Sequence, residues 1–249
     1  MPGKDSHSRQ SILAFPSRPE YTFSNFVVSE GSEFAVNVVK EFCSSPDIPF
    51  NTLYLFGEKG LGKTHLLISI GNHIARYFPD KIPLYIHSSE FVSNIEVGGA
   101  ASDETVEKLL QVDYFLFDDV EEVSGKKFSQ EKLYHIYNSL MAAGKKIAFT
   151  GQHDPAHLAA TEDYLKSRFQ WGMTAEIKPI DDVTTAKIII KLGMDVGLTI
   201  PNKIIHFLLT RIPRDFLSIK NIVSRINEES FIQKKKVSLS MVKEILELS

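Results

Sequence analysis

The chain has 249 residues with a formal net charge of −3, and 43% of the residues are hydrophobic. That length allows one large domain or two smaller ones, and the acidic balance argues against a protein whose main work is to coat nucleic acid. Cys43 is the only cysteine, which excludes an intrachain disulfide. The sequence has no apolar run of membrane-spanning length and no signal-peptide core, so we expect a cytoplasmic location.

The first 20 residues are predicted to form a flexible N-terminal tail. Residues 1–9 are polar, which is typical of disorder. Residues 10–16 (QSILAFP) are unexpectedly apolar for such a tail. The first helix is predicted at residues 33–42, ahead of a proline-containing loop.

The residues from Gly57 to Thr64 (GEKGLGKT) fit the phosphate-loop pattern G-x-x-x-x-G-K-[ST]. Glycines let backbone N–H groups turn toward an anion, while Lys63 would reach the outer phosphates and Thr64 would hold Mg²⁺. Residues 52–56 precede the loop as a predicted buried strand, and apolar residues at helical spacing follow it. This order places a phosphate at a helix N-terminus. The alternative is a glycine-rich turn that matches by chance.

Four more strands are predicted, at residues 84–87, 114–118, 146–150 and 175–177. Helices between them imply a parallel sheet covered on both faces. Beyond Pro179 only helices are predicted, at residues 184–196, 201–211, 215–232 and 240–248. We therefore predict an α/β domain with a five-stranded parallel sheet over residues 21–179, and a small all-helical domain over residues 180–249.

The strand at residues 114–118 ends in two carboxylates, Asp118 and Asp119. The carboxyl edge of a parallel sheet is where ligands of such folds bind. We assign Asp118 to Mg²⁺ and Asp119 to the attacking water. An acidic surface turn is the alternative, but the nearby phosphate loop favours the catalytic assignment.

Polar residues also follow the next strand, where Thr150 would lie level with Asp118. A side chain at this point could contact the γ-phosphate, and Thr150, Gln152, His153 and Asp154 are all candidates. For each of them, an ordinary polar strand exit is an equally good interpretation.

Arg168 lies just before the helical domain. An arginine on that edge cannot easily reach its own nucleotide, but it could reach a neighbour's as an arginine finger. From the residues alone, an ordinary surface salt bridge is the favoured interpretation.

Several strings together resemble the AAA+ domain of the bacterial replication initiator DnaA, from Tyr21 onward. They are YTFSNFVV (21–28), GLGKTHL (60–66), HS (87–88), FDD (117–119), SQE (129–131) and LKSRFQWG (165–172). The last string is the most specific, since no generic ATPase needs all of it. The resemblance implies an αβα ATPase domain followed by a helical lid, with ATP or ADP and Mg²⁺ as cofactors.

The resemblance also implies roles for individual residues. The segment from Phe23 to Val28 would flank the adenine, and Arg168 would be an arginine finger. The nucleotide-binding set is then Phe23, Phe26, Val27, Gly57, Gly60, Leu61, Gly62, Lys63, Thr64 and His65. The metal-binding set is Thr64 and Asp118, and the catalytic set is Asp119, Arg168 and Thr150.

Three features depart from the family pattern. The chain ends at Ser249, so we expect the initiator's C-terminal DNA-binding domain to be absent. Leu217 stands where the lid's sensor arginine is expected; Arg214 or Arg211 could compensate, and we expect binding with weak hydrolysis. The region 94–111 looks shorter and less basic than the initiator's single-strand-binding insert.

This layout is more similar to the Hda-like, DnaA-related regulatory proteins. Gln10, Leu13 and Phe15 fit Q-x-x-L-x-[LF], which resembles the peptide that docks on the DNA polymerase sliding clamp. An extended tail of this kind can place apolar anchors in a partner's pocket. Alternatively, Leu13 and Phe15 pack on the protein's own core.

The leading hypothesis is a regulator that the tail tethers to the sliding clamp and that stimulates ATP hydrolysis on DnaA through Arg168. It implies DnaA and the clamp as partners, weak or no direct DNA binding and no membrane contact, and it leaves self-assembly open. The alternatives are a DNA-binding initiator or helicase-loader ATPase, and an adaptor with a vestigial ATP site. Whether the chain is itself an enzyme stays open, with weak intrinsic ATPase activity as the expectation.

Overall fold

The computed structural model describes residues 12–18, 20–44 and 49–247, with only the backbone described at 12–14 and 99–102. The strands are β1 (Ile12–Ala14), β2 (Thr52–Phe56), β3 (Pro83–His87), β4 (Tyr114–Asp118), β5 (Lys146–Gly151) and β6 (Met173–Glu176). The helices are α1 (Glu33–Ser44), α2 (Lys63–Tyr77), α3 (Ser88–Val97), α4 (Gly99–Leu110), α5 (Lys127–Ala142), α6 (Asp163–Gln170), α7 (Asp182–Asp195), α8 (Asn202–Leu209), α9 (Phe216–Gln233) and α10 (Leu239–Ile245).

The strands form one sheet in the order β1-β3-β4-β5-β2-β6. The five strands from β2 to β6 are parallel, which confirms the predicted sheet. The structure adds a sixth strand: β1 pairs antiparallel with β3, so residues 12–14 are sheet rather than free tail. An edge strand offers unpaired backbone groups, and a short apolar segment nearby can satisfy them.

Two apolar cores flank the sheet, because side chains alternate between its faces. One core lies under α1 and α2 and includes Leu53 and Leu55. The other lies under α3 and α5 and includes Tyr54 and Phe117. β4 and β5 are buried throughout, and β4 is accordingly a nearly continuous apolar run.

The helices α7 to α10 form a separate core and make up the predicted all-helical unit. Asp215 caps α9 by accepting a hydrogen bond from Ser218 N at 2.9 Å. Phe216 N donates to Gly60 O at 3.2 Å, so the start of α9 contacts the phosphate loop. Within the part of the chain that the structure describes, no helix is long and apolar enough to cross a membrane.

Candidate nucleotide-binding site

The phosphate loop adopts a conformation that glycine makes accessible. Gly57 has φ 147° and Gly62 has φ 92°, both in the region that side chains rarely occupy. A Cβ at Gly57 would also lie 2.2 Å from Ile177 O, so the chain passes too close there for any side chain. The loop therefore leads from β2 directly into the N-terminus of α2 at Lys63.

Lys63 folds back onto its own loop in this structure. Its ammonium donates to Gly57 O at 2.5 Å and to Glu58 O at 2.7 Å. Burial lowers the pKa of Lys63, while the carboxylates of Glu121, Asp119 and Asp118 oppose that effect. The side chain thus lies beside the space where phosphates would sit, held by carbonyls that a phosphate can replace.

The carboxylate of Asp118 is held by hydroxyl groups on each side. Thr64 and Tyr85 both donate to Asp118 Oδ2 at 2.8 Å, and Thr150 donates to Asp118 Oδ1. Asp118 is only 3% exposed, and these three hydroxyl groups fix the position of its carboxylate. Thr64 and Asp118, both predicted metal ligands, therefore lie in direct contact at the strand edge. Their oxygens match the donors that Mg²⁺ prefers.

Thr150 faces the acidic strand end. Besides Asp118, its hydroxyl bonds the next residue, accepting from Asp119 N at 2.9 Å. In this structure the side chain therefore positions two carboxylate-bearing residues, and it also lines the cleft as expected.

Asp119 occupies a strained turn at the end of β4. Its φ is 62°, in the left-handed region where a non-glycine residue costs about 1–3 kcal/mol. Ser88 Oγ donates to Asp119 O at 2.5 Å, and Gln152 Nε2 lies 3.5 Å from Asp119 Oδ1. The turn places Asp119 on the wall of the cleft, and its contact to the attacking water stays a prediction.

Glu121 is a third carboxylate near this end of the sheet, and it was not predicted from the sequence. Its Oε1 accepts from Gln152 N at 2.5 Å and His153 N at 3.2 Å, which fixes the loop after β5. Burial raises the pKa of Glu121, and the neighbouring Asp119 adds to that increase. Glu121 lies in the acidic sequence DDVEEV, which could have indicated a carboxylate near the site. An exposed turn would have the same kind of sequence.

The polar candidates after β5 have different environments. Gln152 lines the cleft, whereas His153 lies 3.4 Å from Glu121 and Asp154 caps the turn at Ala156. The structure thus brings only Gln152 of these three into the site.

A cleft of about 320 Å³ joins these groups to an apolar wall. It is lined by Gly60, Leu61, Gly62, Lys63, Thr64, His65, Asp118, Asp119, Thr150, Gln152 and, on the apolar side, Tyr21, Phe26, Val27, Ile177, Ile180 and Ile188. Phe26 and Val27, which are predicted to flank the adenine, belong to this apolar wall. Phe23 does not line the cleft; its ring packs 5.6 Å from that of His73 on α2. Gly57 borders the adjacent cavity behind the loop.

The lid closes the cleft with Phe216, Leu217 and Lys220 of α9. Neither arginine proposed to compensate for Leu217 lines the cleft. Arg214 is paired with Asp182 at 2.8 Å. Arg211 stacks 4.0 Å from the Phe207 ring centre. Lys220, one helical turn beyond Leu217, is the basic group that α9 places there, and it was not predicted from the sequence.

Arg168 on α6 does not line this cleft. Its guanidinium lies 5.4 Å from the Tyr134 ring centre, and its Nε donates to Asn138 Oδ1 at 3.1 Å. Among residues 12–18, 20–44 and 49–247 no carboxylate lies within ion-pair distance of it, so the salt bridge favoured from the residues alone is not formed. The adjacent Trp171 is 63% exposed.

The predicted clamp-binding residues are only partly within the described chain. Gln10 lies outside the described residues. Leu13 pairs with Tyr85 in the sheet, and Phe15 packs on the core beneath α2.

The parallel sheet, the phosphate loop and the acidic strand end define a nucleotide-binding protein of the AAA+ class. The model of the bacterial DnaA ATPase domain matches residues 18–176, and the model of the Hda lid domain matches residues 182–246. The chain therefore belongs to the bacterial DnaA ATPase domain family.

Individual relatives agree with this assignment. The chain is 33% identical over 231 residues to the chromosomal replication initiator protein DnaA of Wolinella succinogenes, covering 92% of this chain and 52% of that one. It thus spans about half the length of this curated relative. Domain III of Thermotoga maritima DnaA has a TM-score of 0.82 and 31% identity, with 93% of this chain and 98% of that chain covered. A replication initiator DnaA bound to AMPPCP and single-stranded DNA has a TM-score of 0.76 and 30% identity, covering 87% and 69%.

Proposed function

We propose that this chain is a nucleotide-binding regulator of replication initiation that stimulates ATP hydrolysis on DnaA while bound to the sliding clamp. The observation that carries the proposal is the position of Arg168: outside its own cleft, beside exposed Trp171, and with no carboxylate partner in the described chain. The match to the Hda lid domain supports it. A cytoplasmic location follows from that role.

In the proposed mechanism, the chain's own nucleotide-binding cleft and the Arg168 guanidinium have different tasks. The chain's own cleft binds ATP or ADP through Lys63 and the loop amides, with Thr64 and Asp118 as ligands for Mg²⁺. Bound nucleotide sets the arrangement of the lid and the sheet. Arg168 then enters the ATP site of DnaA and stabilises the charge that develops on the transferring phosphoryl group.

The decisive experiment is Arg168→Ala, assayed for hydrolysis of ATP on DnaA in the presence of clamp loaded on DNA. A finger acting in trans contributes about 10³–10⁵ in rate, so we expect the stimulation to fall by about 100-fold or more. Lys166→Ala, on the same helix, is the matched control and should stimulate normally. Wild-type stimulation by Arg168→Ala would refute the mechanism.

A second candidate is a DNA-binding initiator or loader that assembles on single strands. It is favoured by the similar DnaA that was solved with AMPPCP and single-stranded DNA. It predicts binding to single-stranded DNA that weakens steeply with salt. Filter binding at two salt concentrations separates the two candidates, since the regulator should show little binding at either.

A further inference from the structure

The tail segment that resembles a clamp-binding peptide already has a place on this molecule. β1 (Ile12–Ala14) pairs antiparallel with the edge strand β3. Phe15 follows directly, and its ring packs against the core beside Gly71 of α2. A Cβ added at Gly71 would lie 2.1 Å from the Phe15 ring, so the ring fills a niche that exists because residue 71 is glycine.

Asn72, the next residue on α2, holds the chain just beyond this niche. Ser17 N donates to Asn72 Oδ1 at 2.8 Å, and Asn72 Nδ2 donates to Ser17 O at 2.7 Å. The same amide donates to Tyr21 O at 2.9 Å. The tail is thus attached to its own domain by a strand pairing, a partly buried ring and a side-chain latch.

These contacts are incompatible with the binding mode of an extended peptide on a partner. Phe15 cannot fill the niche beside Gly71 and an apolar pocket of another protein at the same time. Likewise, backbone groups of residues 12–14 that are paired with β3 cannot pair with a partner.

We propose that residues 12–15 have two mutually exclusive docking sites: the face formed by β3 and α2 of this chain, and the peptide pocket of the sliding clamp. The inference rests on the proposed function for the identity of the partner. Release of β1 must precede or accompany clamp binding, so the apparent affinity is reduced by the fraction of molecules whose tail is free. The chain's own sheet therefore regulates its recruitment.

Gly71→Ala is the sharpest test, because it expels Phe15 from the niche without changing the peptide. Wild-type protein should bind purified clamp about tenfold or more weakly than a synthetic peptide of residues 1–20, and Gly71→Ala should recover most of that difference. Asn72→Ala, which removes the latch, should shift the affinity in the same direction. Arg76→Ala, an exposed change farther along α2, should leave it at the wild-type value.

Hydrogen exchange supplies a readout that does not depend on the clamp. The amides of residues 12–14 should be protected in the wild type and should lose protection in Gly71→Ala, while β4 stays protected in both. Equal clamp affinities of the intact protein and the peptide, unchanged by Gly71→Ala, would overturn the competition and leave clamp docking intact. If the peptide itself does not bind the clamp, both the competition and the clamp part of the proposed function are wrong.

Discussion

Asp118 illustrates what a single residue type can and cannot predict. Its place at the end of an apolar strand predicts a carboxylate at the ligand-binding edge. The hydroxyls of Tyr85 and Thr150, which fix that carboxylate, come from the neighbouring strands. Strand order and register decide which side chains meet, and the amino-acid sequence shows neither of them directly.

His65 gives a pH dependence at the residue scale. Burial lowers its pKa from the ordinary value of 6.5, and its Nε2 lies 2.9 Å from Thr22 O. Just below pH 6.5 the unfolded chain therefore binds a proton that the folded chain does not, so the free energy of unfolding falls as the pH drops through that window. The stability that the buried, neutral His65 contributes is fully present above the pKa that this group has in the unfolded chain.

The test replaces His65 with glutamine, whose amide can still donate to Thr22 O but does not titrate. We expect His65→Gln to lose less stability than the wild type when urea unfolding is compared at about pH 7.5 and pH 5.5. His206→Gln, on the exposed surface of α8, is the control and should behave like the wild type. Identical losses in wild type and His65→Gln would show that His65 does not carry the effect.

At the scale of elements, the strongly periodic and fully buried segments were predicted well. β4 was predicted with its observed bounds, because a central strand buried on both faces leaves a distinct apolar run. The short helix α6 was not predicted, since only Leu165 and Phe169 are buried on it. β1 was missed for a different reason: its three residues become a strand only because the edge of β3 is available.

The helix α9 decides which basic residue can reach a nucleotide from the lid. Its first turn contacts Gly60, and its cleft-facing side carries Leu217 and then Lys220. The ion pair of Arg214 with Asp182 and the stacking of Arg211 on Phe207 remove both arginines from this role. We therefore expect Lys220 to contribute the lid's charge to nucleotide binding.

Lys220→Ala tests that expectation by titration with ATP, ADP and adenosine. Loss of one charged contact costs about 1.5–3 kcal/mol, so binding of ATP and ADP should weaken about tenfold or more. Adenosine has no phosphate, and its affinity should stay unchanged. Lys203→Ala, elsewhere on the lid surface, is the control; equal losses for all three ligands would instead place Lys220 at the base or sugar.

At the scale of the whole molecule, the cleft joins parts that are distant along the chain. It is lined by Tyr21 from the segment before α1, Lys63 from the loop, Ile177 beyond β6 and Lys220 from the lid. A ligand that contacts all of them binds the folded chain and not the unfolded one. Nucleotide should therefore stabilise the two domains together.

Thermal unfolding with and without nucleotide measures this link. At a ligand concentration of 100 times Kd, stabilisation of about 2.7 kcal/mol should raise Tm by about 5–10 °C. Lys63→Ala should lose most of the increase, and EDTA should reduce it if Mg²⁺ is bound with the nucleotide. A Tm that neither ATP nor ADP changes would show that the cleft does not take a nucleotide.

The sequence by itself determined the parallel sheet, the phosphate loop, the acidic strand end and the helical character of the lid. Each of these depends on local spacing, which hydrophobic periodicity and glycine placement record directly. Only the tertiary structure decided that Phe23 lies outside the cleft, that Lys220 lines it, that Glu121 holds the loop after β5, and that the Phe15 ring packs beside Gly71. Those contacts join residues far apart in the chain, and their geometry is set by strand order, helix packing and the space that one glycine leaves.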